Sequence, residues 1–369
     1  MKRILVIGLT EKMGGVETFI YNTTINSNKN KIKYDYLIHS SNDCVFKKEI
    51  SEFYNDGENH FYFFPKFKKN PLKCIIELFK FYKKNKDTYD FIHLETGSTA
   101  EVVYVFPFNL FIKAKVITHS HNGNGYNRLI NAIFKPIVNI ISYKKLSCSN
   151  EATKWLFGKK YISGTTIINN GIDHNKFRFS NKYRKEIRKK YAIKDKKVIG
   201  HIGRFSPQKN HDFIIKLFEK IYKNDNNFCL LLVGVGELED TIKEKVNQLG
   251  LNDCVIFAGL QMEAYKYYSA FDYFLMPSLY EGLPIVGIEA QNSGLVCLFS
   301  DTIDKDILIT DRAYMIALSS EISEWTKKIC STFDNDISKR ENYADIIDNK
   351  GYSINNTVKV LQKIYEEEI

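Results

Sequence analysis

Residues 197–234 read KVIGHIGRFSPQKNHDFIIKLFEKIYKNDNNFCLLLVG, and this stretch decides the fold class. Two short apolar runs, 198–203 and 228–234, enclose a segment in which apolar and charged residues alternate. Strands that are apolar on both faces are typical of parallel sheets covered by helices on each side. The stretch therefore predicts strand, helix and parallel strand, the repeating unit of a doubly wound α/β sheet.

The same alternation fills the rest of the chain. Further strands are predicted at 3–8, 34–39, 61–64, 91–94, 115–118, 145–148, 166–168, 255–257, 273–276, 296–299 and 314–316. The pattern breaks at the turn 169–173, which a charged helix at 183–191 follows. Because 369 residues exceed the usual size of one core, we expect two Rossmann-like domains, 1–170 and 171–350, that face a cleft. The segment 351–369 has helical apolar spacing and is expected to pack back across the domains.

Positive charge is concentrated in the first half of the chain. The whole sequence carries 53 Lys and Arg against 43 Asp and Glu, a net charge of +10. Residues 1–170 hold 25 basic and 14 acidic residues, whereas residues 171–369 hold 28 and 29. This division predicts an anionic partner for the first half, or else reflects a bias towards lysine. Nucleic acid is not an expected partner, because no recognised binding module is present.

Apolar runs and cysteines bear on the compartment. The run at 4–7 is too short for a signal peptide, and no stretch of about 18 uninterrupted apolar residues predicts a membrane span. Seven cysteines are scattered without CxxC spacing, which indicates packed thiols rather than disulfides or a zinc site. We therefore expect a protein of a reducing, cytoplasmic compartment.

The segment 281–289 carries the strongest chemical pattern. Glu281 stands just before a predicted helix, with Pro284 in its first turn and Glu289 in its second. Two carboxylates can accept sugar and ribose hydroxyls, while the free N–H groups of Gly282 and Leu283 can bind phosphate. The segment is a candidate site for a sugar nucleotide, and the alternative is a capped helix with a solvated glutamate.

A second cluster follows the strand 198–203 and contains Gly203, Arg204 and Lys209. A bidentate guanidinium and a lysine point charge suit a diphosphate leaving group, on which charge builds as a glycosidic bond breaks. Arg204 and Lys209 are therefore predicted to clamp a diphosphate. The alternative is ordinary surface charge.

Two weaker signals lie in the first half. Gly14 and Gly15 follow the first strand, where backbone can approach a ligand without interference from Cβ atoms, but a full GxGxxG pattern is absent. His119 and His121 follow the strand 115–118. We expect His119 to point into the cleft and contact a sugar, with His121 as the competing choice. No Asp, Glu or Cys stands near these histidines at ligand spacing, so no metal site is expected.

Together these motifs resemble the retaining GT-B glycosyltransferases of family 4, which include bacterial capsule, exopolysaccharide and lipopolysaccharide transferases. The likeness spans nearly the whole chain. It rests, in order, on Gly14-Gly15, Thr118-His119, Asn170-Gly171-Ile172-Asp173, Gly203-Arg204, Lys209-Asn210, Val233-Gly234-Val235-Gly236, Phe257-Ala258-Gly259, Pro277-Ser278 and 281–289.

The resemblance implies a GT-B fold whose first domain binds the acceptor and whose second binds a nucleotide sugar. It implies front-face transfer with retention, without a metal ion or other cofactor. The implied catalytic residues are His119, Arg204, Lys209 and Glu281. The implied donor contacts are Gly14, Gly15, Gly203, Arg204, Lys209, Gly234, Val255, Phe257, Glu281, Gly282, Leu283, Pro284, Ile285 and Glu289. Among these, Glu281 would meet the sugar, Glu289 the ribose and the 255–259 backbone the base.

The donor is expected to be a UDP-sugar first and GDP-mannose second. The acceptor is expected to be a glycan or lipid-linked acceptor of surface polysaccharide synthesis, and its contacts are not predicted. A hypothesis from another class is a catalytically silent protein that binds nucleotide sugars as a regulator or scaffold.

The basic first half also predicts docking on the cytoplasmic face of a membrane. Basic runs occur at 65–69 and 83–86. The segment 126–145 mixes apolar and basic residues as an interfacial helix does, and its alternative is a core helix packed on the sheet.

Overall fold

The computed structural model describes residues 1–40, 43–123, 128–332 and 337–367. The chain divides into two compact units, the first formed by Met1–Gly171 with Ile354–Ile369 and the second by Ile172–Ser353. Residues 126 and 127 of the predicted interfacial segment, and the last two residues of the predicted terminal segment, lie outside the described ranges. No helix in those ranges is long and apolar enough to cross a membrane.

The first unit contains a parallel sheet of seven strands in the order β3-β2-β1-β4-β5-β6-β7. Its strands are β1 Lys2–Ile7, β2 Ile32–Ile38, β3 Phe61–Phe63, β4 Phe91–Thr96, β5 Lys115–Ser120, β6 Ser142–Ser147 and β7 Thr166–Ile167. All seven strands predicted for the first half are confirmed. The apolar side chains of β1, β2, β4 and β5 are buried on both faces, as the doubly apolar runs indicated.

Helices cover both faces of this sheet. They are α1 Gly15–Ile25, α2 Lys47–Tyr54, α3 Pro71–Lys84, α4 Arg128–Ile141, α5 Asn150–Leu156 and α13 Ile354–Glu366, with 3-10 helices at Thr99–Tyr104, Phe108–Phe111 and Lys159–Gly164. The strand order reverses direction between β1 and β4. Because such crossovers are right-handed, α1 and α2 lie on one face of the sheet, whereas α3, the first two 3-10 helices and α4 lie on the other.

The second unit contains a parallel sheet of six strands in the order β10-β9-β8-β11-β12-β13. Its strands are β8 Lys197–Ile202, β9 Phe228–Val233, β10 Val255–Phe257, β11 Tyr273–Met276, β12 Val296–Ser300 and β13 Ala313–Ile316. Its helices are α6 Asn181–Lys190, α7 His211–Asn224, α8 Glu239–Gln248, α9 Ala264–Ala270, α10 Ile285–Asn292, α11 Ile322–Ser331 and α12 Tyr343–Asn349, with 3-10 helices at Pro207–Lys209, Lys305–Ile307 and Ile337–Asn342. All six strands predicted here are confirmed.

The pairing of β8 with β11 is fixed by Asp272, the residue before β11. Its Oδ2 accepts a hydrogen bond of 2.7 Å from the backbone N–H of Val198 in β8. Arg184 and Arg188 of α6 each place an Nη2 atom 2.6 Å from the same carboxylate. Gly200 is needed in β8, because a Cβ atom there would lie 2.2 Å from the ring of Phe271. The strand order therefore reverses at β8 and β11, which brings the loops that follow them together.

Candidate active site

The loops after β8 and β11 meet at the carboxyl edge of the second sheet. Lys209 Nζ lies 2.6 Å from Glu281 Oε1, and both side chains are largely buried. Gln208 Nε2 donates to the carbonyl of Tyr280 at 2.9 Å, and Asn210 Nδ2 donates to the carbonyl of Pro277 at 3.1 Å. Two predicted site residues, 72 positions apart in sequence, thus form one partly buried ion pair.

Arg204 stands at the rim of the same loop. Its Nε and Nη2 atoms donate to the two carboxylate oxygens of Glu237 at 3.2 and 3.1 Å. Both side chains are more than two-fifths exposed, so this pair contributes little to stability and opens readily. The planar guanidinium of Arg204 can therefore exchange its hydrogen bonds to Glu237 for hydrogen bonds to another anion.

Glycines let the loops after β8 and β9 pass each other closely. Gly234 has φ of +137°, and a Cβ atom there would lie 2.1 Å from the carbonyl oxygen of Gly203. Gly203 and Gly234, both predicted to contact the donor, thus also allow these two loops to pack closely. Val255 and Phe257 lie on the neighbouring edge strand β10, where the ring of Phe257 approaches that of Phe205 at 6.0 Å.

Glu289 lies in the second turn of α10, as predicted, and is almost fully buried. Pro284 was expected in the first turn but is the N-cap residue, with extended ψ of 123°, so that the helix begins at Ile285. The hydroxyl of Tyr268 donates to Glu289 Oε2 at 2.6 Å. Burial raises the pKa of Glu289 to about 7. The carboxyl group of Glu289 therefore gains or loses its proton near neutral pH.

In the first unit, Glu95 at the end of β4 gathers three histidines. Its carboxylate oxygens lie 2.8 Å from His119 Nδ1, 2.6 Å from His121 Nε2 and 3.3 Å from His93 Nε2. Glu95 and His119 are direct partners in the pairing of β4 with β5. The hydroxyl of Tyr365, from α13, lies 2.5 Å from His93 Nδ1 on the far side. The histidines predicted at the end of β5 thus belong to a buried network.

The charge state of this network follows from burial and proximity. Burial lowers the pKa of His119 to about 4, so its ring is neutral at neutral pH. Burial acts to raise the pKa of Glu95, but the neighbouring histidines outweigh it and bring that pKa well below its usual range. His119 Nε2 has no hydrogen-bond partner in the described ranges. A neutral imidazole with a free nitrogen can bind a hydroxyl group.

Three of these groups could also hold a metal ion. The ligand atoms of His93, Glu95 and His119 lie within 4.8 Å of one another. Glu95 is 24 residues from His119 in sequence but ends the adjacent strand, so ligand spacing along the sequence did not reveal it, and the expectation of no metal site overlooked this group. Polar residues at the ends of neighbouring parallel strands were the available signal.

Gly14 and Gly15 lie at the start of α1. Gly14 is the N-cap residue, and α1 begins at Gly15. A Cβ atom on Gly15 would meet nothing within 4 Å, whereas one on Gly14 would lie 2.7 Å from Glu17 Oε2. The space beside Gly15 is therefore open, and the acidic Glu17 lies close to Gly14.

Comparison with known proteins finds a family similarity in the second unit. Residues 183–349 match the family described as glycosyl transferases group 1. The second unit is thus similar to group 1 glycosyltransferases. The whole chain is 29% identical to the Bacillus subtilis protein named as glycosyltransferase EpsF, over 99% of this chain and 96% of that protein. It is 26% identical to the capsular polysaccharide biosynthesis glycosyltransferase CapH of Staphylococcus aureus, over 78% of this chain and 80% of CapH.

Solved structures share the fold over the full length. HepE from Anabaena, in complex with UDP and glucose, has a TM-score of 0.82, 16% sequence identity and full coverage of both chains. Sucrose-phosphate synthase from Thermosynechococcus elongatus has a TM-score of 0.78, with 100% and 99% coverage. The predicted GT-B class, with two Rossmann-like parallel-sheet domains, is confirmed.

Partners of the predicted residues came from places that the sequence did not mark. Arg204 forms an ion pair with Glu237, and the Tyr268 hydroxyl donates a hydrogen bond to Glu289. Tyr268 lies on α9, 21 residues before Glu289, and no spacing rule connects the two. Glu95 alone had a signal, its position at a strand end.

A first prediction concerns the pH dependence of the stability of the second unit. A folded pKa near 7 for Glu289 exceeds the unfolded value, so the folded state holds a proton that the unfolded state releases. The wild type should lose stability as pH rises from about 4.5 to about 7, whereas Glu289→Gln should not show this component. Chemical denaturation across that range should show the variant gaining about 2–3 kcal/mol relative to wild type. A constant difference between the two proteins would contradict the buried, protonated carboxyl.

A second prediction separates the two histidines. His121 Nε2 lies 2.6 Å from Glu95 Oε2, whereas His119 Nε2 is buried and has no hydrogen-bond partner in the described ranges. His119→Ala should therefore lower turnover by at least about tenfold, and by more than His121→Ala does. Donor-turnover assays check this, with thermal melting of both variants as the control for folding. The reverse order would assign the contact to His121.

Proposed function

We propose that the protein is a retaining, metal-independent hexosyltransferase of family 4 that uses a nucleotide-diphosphate sugar. The Lys209–Glu281 pair at the reversal point of a group 1 domain carries this proposal. A cation for the diphosphate and a carboxylate for the sugar stand there within one hydrogen bond of each other. UDP bound to HepE, and UDP-Gal in the name of an Escherichia coli relative, favour UDP over GDP-mannose.

Arg204 and Lys209, the two cations proposed to bind the diphosphate, each form an ion pair with a carboxylate in the structure. The exposed bond from Arg204 to Glu237 is weak, so its guanidinium can move to a phosphate at little cost. Lys209 carries three N–H donors, and one of them binds Glu281 while the others remain for phosphate oxygens. The same ammonium group thus holds the Glu281 carboxylate in place, oriented towards the sugar.

Transfer proceeds on one face of the sugar. The acceptor hydroxyl attacks the anomeric carbon from the side on which the bond to the diphosphate breaks, and a diphosphate oxygen takes the hydroxyl proton. Arg204 and Lys209 stabilise the charge that develops on the leaving group. Glu289 accepts hydrogen bonds from the ribose hydroxyls, and His119 contacts the transferred sugar. No protein nucleophile is required, so none of these carboxylates needs to lie beneath the anomeric carbon.

The acceptor is a lipid-linked glycan in surface polysaccharide synthesis, and the protein works at the cytoplasmic face of a membrane. The names of relatives support this class of acceptor. CapH belongs to capsular polysaccharide biosynthesis, and the Escherichia coli relative is named for transfer to GlcNAc-diphosphoundecaprenol, at 24% identity over 64% of each chain.

A third prediction separates the roles of Lys209 and Glu281. Glu281→Ala should remove most turnover and leave UDP affinity nearly unchanged, because its partner in the donor is the sugar. Lys209→Ala should lower both, with a loss of about 2–4 kcal/mol in transition-state stabilisation. UDP titration calorimetry and donor hydrolysis in the presence of EDTA measure the two effects.

Lys216→Ala is the matched control, since Lys216 is exposed on α7 and pairs with Asp212 of the same helix. It should match the wild type in both assays. Equal loss of UDP binding in Glu281→Ala would contradict the sugar contact. UDP binding by the wild type without turnover of any nucleotide sugar would favour the scaffold hypothesis.

A further inference from the structure

Exposed apolar side chains are concentrated in one part of the first unit. Of the twenty exposed large hydrophobic side chains in the described ranges, eleven lie between residues 72 and 143. They are Leu72, Ile75, Ile76, Phe79, Phe106, Leu110, Phe111, Leu129, Ile133, Ile140 and Tyr143. Concentrations of this kind mark interaction surfaces more often than chance exposure does.

Helix α3 shows the pattern most clearly. Its inner face buries Cys74, Leu78, Phe81 and Tyr82 in the core of the first unit. Its outer face presents Leu72, Ile75, Ile76 and Phe79, which are 42 to 70% exposed. A helix that covers a sheet normally has a polar outer face. The outer apolar stripe of α3 is therefore not explained by folding.

Five of the other exposed side chains lie in the same layer, on the 3-10 helix Phe108–Phe111 and on α4. The rings of Phe79 on α3 and Phe111 in the 3-10 helix Phe108–Phe111 are 5.4 Å apart, edge to face. Helix α4 packs on the 3-10 helix Thr99–Tyr104, buries Val138 and exposes Leu129, Ile133 and Ile140. We call the outer surface of α3, the 3-10 helix Phe108–Phe111 and α4 the outer layer. The interfacial and core interpretations of the segment 126–145 each describe one face of α4.

Basic side chains outnumber acidic ones in the part of the sequence that contains the outer layer. Residues 66–145 hold fourteen Lys and Arg against five Asp and Glu. Residues 1–65, which include α1 and α2 on the opposite face of the sheet, hold eight of each. On α3 itself, Lys73, Lys80, Lys83 and Lys84 are exposed beside the apolar stripe. Apolar and basic side chains therefore share one face.

We propose that the outer layer docks on an anionic lipid bilayer. The apolar side chains enter the boundary between headgroups and acyl chains, and the lysines pair with headgroup phosphates. The charge argues against a second copy of this chain as the occupant, because two such faces would repel each other. Docking brings the enzyme to a lipid-linked acceptor, and this purpose rests on the proposed function. The docking surface itself is inferred from the exposed apolar and basic side chains alone.

The test is cosedimentation with vesicles of phosphatidylcholine alone and of phosphatidylcholine mixed with phosphatidylglycerol. The wild type should bind the mixed vesicles at low salt, bind the neutral ones weakly and dissociate at high salt. The double variant Lys80→Glu/Lys83→Glu should reduce partitioning by at least about tenfold, since basic residues near an anionic surface each contribute about 1 kcal/mol. Ile76→Ser/Phe79→Ser should reduce it as well.

The matched control is Lys47→Glu/Lys48→Glu on α2, with the same change of charge on the opposite face of the sheet. It should bind like the wild type. Equal partitioning of the wild type into both vesicle types, or equal loss in the α2 variant, would overturn the proposal. A dimer in sedimentation velocity that Ile76→Ser/Phe79→Ser dissociates, without vesicle binding, would overturn it in favour of self-association. UDP binding is measured in parallel, so that a failure of the donor site is distinguished from a failure of docking.

Discussion

The pairing of β8 with β11 is the constraint on which the site of the second unit depends. Asp272 fixes it by binding the backbone of β8 and two arginines of α6 with one carboxylate. Once these strands are neighbours, the loops 203–210 and 277–284 must meet at one sheet edge. Lys209 and Glu281 then come within 2.6 Å, although 72 residues separate them. The chemistry proposed for the donor thus follows from strand order.

The strands were predictable because their signal is local. A run such as 228–233, apolar on every residue, is typical of a strand in a sheet covered on both faces, and all thirteen predicted strands are present. Strand order was not predictable from such runs alone, since each run is compatible with several neighbours. The group of motifs, rather than any single strand, pointed to the GT-B class that the solved structures confirm.

Site residues that directly follow a strand could be predicted from the sequence. Their side-chain partners from other parts of the chain could not. Arg204, Lys209, Glu281 and Glu289 could be selected because each stands at the carboxyl end of a strand or in the helix that follows. Their partners Glu237 and Tyr268 depend on side-chain packing, which spacing does not encode. Glu95 lay between these cases, since it ends β4 as His119 ends β5. Its burial among three histidines required the tertiary structure.

The central claim is transfer with retention from a UDP-sugar, and the configuration of the first product formed from a donor with an α-linked sugar tests it most directly. A thermal-shift panel of nucleotide sugars identifies the donor, and the purified protein then hydrolyses it with water in place of the acceptor. Proton NMR, recorded before the free sugar equilibrates, reports its anomeric form. The account predicts that the α-anomer appears first and the β-anomer only by later mutarotation. Initial release of the β-anomer would contradict it.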